Sequence, residues 1–206
     1  MKQKLVTGLL ALSVIAVGCS ETAGVEKKEE INMELMTKPG LPEAKDFVSS
    51  PLRNSIRLEL DAPTTEVWKL VGDPSRMPEY SEGLLRVNVM RDTKERCTGF
   101  TCLFKPAEPG DEPVQHRAII KWFEPETGYA SVDEEPNPFG LTQSLSLLTL
   151  ESMDKKTILN WQMHFHAGDV EANKSSLDQA LNQDIAKRLI RRFGGRVLES
   201  FVEGSN

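Results

Sequence analysis

The chain is short of cysteine, histidine and aromatic residues, and each shortage removes a class of protein. Three cysteines in 206 residues are too few for the disulfide frameworks that hold small secreted domains together. Three histidines, with no closely paired cysteines beside them, give no zinc-binding spacing. The apolar stretch Leu5 to Val17 is about 13 residues long, well short of the roughly 20 that a membrane-crossing helix needs. Positive charge is scarce too. With 25 basic and 31 acidic side chains the net charge is −6, and nucleic acid is not an expected partner, because phosphate contacts need clustered Lys and Arg. The one basic run, Lys187-Arg188 with Arg191-Arg192 and Arg196, reads as a solvated helix face. There is no Gly-x-Ser-x-Gly elbow, no phosphate-cradling glycine loop and no Cys–His pair in a recognisable context.

The N-terminus is more informative. Lys2 and Lys4 precede the apolar run, which stops at Ala16-Val17-Gly18-Cys19 before polar Ser20. A positive n-region, a short apolar h-region and small residues before a cut are the parts of an export signal. The cysteine after the cut makes the segment resemble the lipobox of bacterial lipoproteins. That resemblance implies residues 1–18 as signal peptide, lipid on Cys19, and a protein in the cell envelope. Ser20 points to the outer membrane, facing the periplasm, in a Gram-negative organism. Several acyl chains anchor stably where one is marginal.

Residues 19–51 read as a lipidated tether: Glu26-Lys27-Lys28-Glu29-Glu30, Pro39-Gly40, Pro42 and Ser49-Ser50-Pro51 give charge and breakers without apolar periodicity. Residues 52–206 then form one domain with a single core. Leu52, Ile56, Leu58 and Leu60 alternate with Arg53, Arg57 and Glu59, which predicts a strand with one apolar face. Asp61-Ala62-Pro63 stops it, and Thr64 or Thr65 is placed to cap a short helix carrying Val67, Trp68 and Val71. A second short helix is expected over residues 75–79. Six further strands follow, at 84–90, 98–105, 113–123, 129–133, 141–152 and 157–166, with short turns that imply antiparallel hairpins. Leu177, Leu181, Ile185, Leu189, Phe193, Val197 and Phe201 recur at helical spacing and predict a long C-terminal helix, interrupted at Gly194-Gly195.

The segment from Ser55 to Pro74, above all Ala62-Pro63, Val67-Trp68, Val71 and Asp73-Pro74, resembles the opening of the START-like (SRPBCC) superfamily, which includes polyketide cyclase/dehydrase-like proteins. Lys121 to Gly128 resembles its middle hairpin, and Thr157 to Trp161 with Phe165 its last strand. The resemblance implies an α+β helix-grip fold: a curved seven-stranded antiparallel sheet around a long C-terminal helix, with two short helices after the first strand. It fixes fold better than activity. A sheet curved around one helix leaves a concave space suited to apolar ligands. Strict alternation puts Val114, His116, Ala118, Ile120 and Trp122 on one face of their strand, and Leu159, Trp161, Met163 and Phe165 on one face of another. With Phe193 and Val197 from the helix, these are the candidate lining residues.

His116 is the one candidate catalytic residue, an imidazole on an otherwise apolar face. Asp133, at a strand end, is placed to reach a cavity mouth. His164 and His166 lie on the opposite face of their strand and lack a third ligand, so no metal and no cofactor is expected. Cys97 and Cys102 on one extended strand would stand about 16 Å apart, beyond disulfide reach, unless the chain turned at Gly99. Three functions are consistent with these features. The first is a lipid-anchored binding protein for a hydrophobic small molecule or lipid. The second is a cyclase or dehydratase-type enzyme using His116. The third is an envelope interaction scaffold without ligand, favoured by a closed cavity and an exposed patch at Phe139 and Leu141.

Overall fold

The computed structural model describes residues 40–106, 110–167 and 184–203. Cys19 with the whole export segment, and Leu177 and Leu181, lie outside the described residues.

Alternation decides the first strand. β1 (Leu52–Leu60) buries Asn54, Ile56, Leu58 and Leu60 on one face and leaves Ser55, Arg57 and Glu59 half-buried on the other. Pro63 is the N-cap of α1 (Thr64–Val71), so the helix begins one position before the Thr cap expected from sequence. Thr64 instead meets Thr157, whose hydroxyl donates to the Ala62 carbonyl at 2.7 Å and locks the strand-to-helix corner. α1 buries Val67, Leu70 and Val71. Gly72-Asp73-Pro74 ends it, and the Asp73 side chain accepts from the Ser75 amide at 3.0 Å to start a 3-10 turn over Pro74–Glu79.

Six antiparallel strands follow within about a residue of their expected limits: β2 (Leu84–Arg91), β3 (Cys97–Phe104), β4 (Val114–Glu124), β5 (Gly128–Asp133), β6 (Leu141–Met153) and β7 (Lys156–Ala167). α2 (Ala186–Phe193) then leads through Gly194-Gly195 into β8 (Arg196–Val202). The sheet order is β2-β3-β4-β5-β6-β7-β1-β8. There are therefore eight strands among the described residues, where seven and a helix running on past Phe193 were expected.

The glycine pair causes the difference. Gly194 and Gly195 adopt φ of +75° and +103°, which turns the chain out of the helix and back along β1. A Cβ on Gly195 would lie 1.9 Å from the Glu59 carbonyl oxygen, so only glycine allows that approach. Val197 and Phe201 consequently sit on an edge strand opposite Leu58 and Ser55, and Val197 is 46% exposed. Their spacing of four residues fits both a helical face and a strand face, so periodicity could not tell the two apart.

The main core lies between the inner sheet face and α1, the 3-10 turn and α2, with Leu58, Leu60, Val67, Leu148, Leu159 and Leu189 fully buried. A second cluster of Ala130, Leu145 and Leu147 lies apart from it and is covered by Phe47 and Val48 with Trp122. The compact unit begins at Leu41, so the last residues of the expected tether, with a 3-10 turn over Ala44–Asp46, are packed chain. Ser49 and Ser50 donate to the Gln143 side chain and carbonyl, both at 2.7 Å.

Candidate ligand-binding cavity

Residues two apart on a strand share a face, and the register brings such pairs side by side across the sheet. Cys102 stands opposite His116, Phe100 opposite Ala118, Ala118 opposite Asp133, Ser131 opposite Ser146, and Ser146 opposite Met163. All of these point into one cavity of about 330 Å³. Trp161 and Leu141 extend its wall, Met77, Tyr80, Leu84 and Ile185 cover it, and Phe139 from the β5–β6 loop stands at its edge. The space exists because Ala118, Ser131, Ser144 and Ser146 are small where a packed core would carry Leu or Phe.

The polar groups are few and organised. His116 Nε2 lies 3.0 Å from Asp133 Oδ1, with 11% and 13% of the two side chains exposed, but the approach is not aligned as a hydrogen bond. Asp133 Oδ2 accepts from Asn137 Nδ2 at 2.9 Å, and Asn137 Oδ1 accepts from the Phe139 amide at 2.8 Å. The carboxylate is thus pinned to the loop that carries Phe139. Trp161 Nε1 donates to Ser146 Oγ at 2.7 Å. The Phe139 ring meets Phe104 edge-on at 5.1 Å and His116 at 6.1 Å, and Tyr80 meets Trp161 edge-on at 6.2 Å. Burial raises the Tyr80 hydroxyl well above its usual pKa. Burial, and secondarily the charge of Asp133, pushes the Cys102 thiol up to about 12. Both are neutral groups in a mainly apolar wall.

Family models and curated protein sequences give no match to this chain. Solved structures do. XoxI from Bacillus cereus is 15% identical with a TM-score of 0.55, covering 68% of this chain and 95% of its own. A START superfamily protein from Mycobacterium smegmatis is 12% identical with a TM-score of 0.55, covering 68% and 94%. A protein from Thermobifida fusca is 19% identical with a TM-score of 0.53, covering 68% and 93%. The fold is START-like.

Within this START-like sheet, His116, Ala118, Trp161 and Met163 line the cavity. Ile120, Trp122, Phe165, Phe193 and Val197 do not. β4 pairs with β5 through a bulge between Ile120 and Trp122. One extra residue there reverses which face each later side chain takes. Trp122 therefore packs with the second cluster, while Phe123 turns to α1 and meets Trp68 at 5.5 Å. Ile120 packs against the main core and borders a separate, more polar cleft beside Asp92 and Arg96, which are paired at 2.7 Å. Phe165 is buried away from the cavity, its amide bonded to the Pro51 carbonyl. Phe193 packs on the core from the end of α2, and Val197 is on β8.

Alternation missed Phe100, Cys102 and Phe104, although the pattern is plain on β3. It also missed the serines, which carry no hydrophobic signal. Cys97 and Cys102 are both free and share β3. His164 is half-buried with Nε2 3.3 Å from Gln162 Oε1, and His166 is exposed. No cluster of three metal-ligating side chains occurs among the described residues. Leu141, which the scaffold reading needs exposed, is buried in the cavity wall. In the basic run Lys187, Arg191, Arg192 and Arg196 are exposed, Arg188 pairs with Asp184 and Glu82, Arg192 pairs with Glu79 at 2.8 Å, and Arg196 lies on β8 rather than on the helix.

Proposed function

We propose that this chain is a lipid-anchored extracytoplasmic binding protein that encloses a small hydrophobic molecule between the inner sheet face and the cover formed by Met77, Tyr80, Leu84 and Ile185. The observation that carries the reading is the cavity: apolar walls, a gap left by small side chains, and a few convergent polar groups are the features of ligand sites. About 330 Å³ is near the lower end of such sites, which favours a compact molecule over a two-chain lipid. The anchor rests on the Lys2/Lys4, Leu5–Val17, Ala16-Val17-Gly18-Cys19 pattern. On that reading the protein belongs to the cell envelope and, if the organism is Gram-negative, to the outer membrane facing the periplasm.

Native mass spectrometry of the purified chain is expected to show an adduct of a few hundred daltons that organic extraction removes; chain mass alone in every preparation would sink the binding reading. Replacing Cys19 by serine is expected to move the protein from the membrane fraction to the soluble fraction. Continued sedimentation with membranes after carbonate washing would count against the lipid anchor.

A second reading, an acid–base enzyme of the cyclase or dehydratase kind, is favoured by the His116–Asp133 pair inside the cavity. An imidazole with a carboxylate 3.0 Å away inside an apolar cavity is the kind of pair that general acid–base chemistry uses. The same adduct separates the two readings: an enzyme converts its ligand on incubation and His116→Gln stops the mass change, whereas a binder returns it unaltered.

A further inference from the structure

We infer that the cavity selects an uncharged molecule bearing a hydroxyl group and turns carboxylates away. The inference rests on the binding reading above and concerns what that ligand carries. Among the described residues lining the cavity no lysine or arginine contributes, and the ionisable side chains are Tyr80, Cys102, His116 and Asp133. Tyr80 and Cys102 are held neutral by burial. When His116 is neutral, the wall carries the negative charge of Asp133 alone. When His116 is protonated, its charge is matched by Asp133 at 3.0 Å. In neither state does a cation remain among the described wall residues for a second acid, and a ligand carboxylate would lose its water against an existing one.

A hydroxyl finds partners instead. Asp133 Oδ2 already accepts from Asn137, yet a carboxylate has about four lone-pair sites, so Asp133 can accept another O–H. Ser146 Oγ accepts from Trp161, which leaves its own O–H to donate. Asp133 accepts while Ser146 donates. A hydroxyl does both and satisfies either group, whereas a carboxylate only accepts. The apolar body of the ligand has Phe100, Trp161 and Met163 to lie against.

The test uses one skeleton in three forms, naphthalene, 2-naphthol and 2-naphthoate, titrated calorimetrically at pH 7 into the full chain carrying Cys19→Ser after extraction of any bound adduct. The expected result is 2-naphthol at least tenfold tighter than 2-naphthoate and tighter than naphthalene, a difference of about 1.4 kcal/mol or more for the charged probe. Asp133→Asn should narrow the gap by improving 2-naphthoate, and the wild-type comparison decides the matter even if that variant folds poorly. Equal or tighter binding of 2-naphthoate overturns the charge selection and leaves the binding reading intact; so does a copurified carboxylic acid. Naphthalene as tight as 2-naphthol overturns the hydroxyl requirement. No binding of any probe, in a protein that also purifies without adduct, removes both this inference and the reading beneath it.

Discussion

Replacing Gly195 with alanine is expected to destabilise the fold by about 3 kcal/mol or more, a large part of the roughly 5–15 kcal/mol that holds a domain together. Two costs combine. Alanine at φ +103° occupies backbone space that L side chains avoid, at about 1–3 kcal/mol. Its Cβ would also lie 1.9 Å from the Glu59 carbonyl oxygen and 2.9 Å from Leu60 Cα. Both are backbone atoms of β1, which is hydrogen-bonded between β7 and β8, so no side-chain rotation relieves the clash. Either β8 lifts off β1 or β1 itself shifts. The Arg53–Glu203 and Arg196–Glu59 ion pairs that tie β8 down would be lost with the first course. Gly194→Ala is the control: its φ is +75°, but the atoms nearest the added Cβ belong to the Asp61 side chain, the first at 3.0 Å. It should cost about 1–2 kcal/mol, mostly backbone strain. Urea unfolding of the three proteins measures this. Equal midpoints for Gly195→Ala and the parent chain would mean that the glycine pair does not carry the chain onto β1.

That glycine pair also marks the point past which periodicity no longer determines the fold. Up to β7 the chain announces itself, because β1, β3 and β7 alternate and each turn carries Gly, Pro, Asn or Asp between apolar runs. The inner faces of β1 and β7 follow directly, and with them Trp161 and Met163 in the cavity wall. Two local events break the rule. The bulge before Trp122 adds one residue that no periodicity reveals, and it moves a tryptophan expected in the cavity away from its wall. After Phe193, apolar residues four apart suit a strand as well as a helix, and only backbone geometry at Gly194 and Gly195 decides between them. The site was partly legible for a related reason. His116 stood out as a polar residue on an apolar face, and Asp133 was placed at the mouth by its position at a strand end. Their approach to 3.0 Å depends on the β4–β5 register, which brings Ala118 opposite Asp133. Ser131, Ser144 and Ser146 were invisible because what they contribute is missing volume.

That missing volume leads to the strongest functional expectation: Ala118→Phe should abolish ligand binding, weakening it at least a hundredfold, while leaving the protein folded. Ala118 is 1% exposed and sits in the middle of the wall, between Phe100 on β3 and Asp133 on β5. Enlarging a residue in a filled core forces neighbours off their rotamers at about 1–3 kcal/mol. Here the new ring projects into a cavity of about 330 Å³, so the stability cost should fall at the low end of that range, or be offset by newly buried apolar surface. Binding and stability thus move apart, which an ordinary core position would not allow. The readouts are adduct retention in native mass spectrometry and the urea midpoint of the same preparation. A variant that keeps both adduct and midpoint would show that the ligand sits elsewhere, and the cleft beside Asp92 and Arg96 would become the site to probe. If the adduct is lost and the midpoint is kept, ligand and wall residue compete for the same space. In that case the small residues on the inner sheet face, which weaken the core, persist because the ligand completes it.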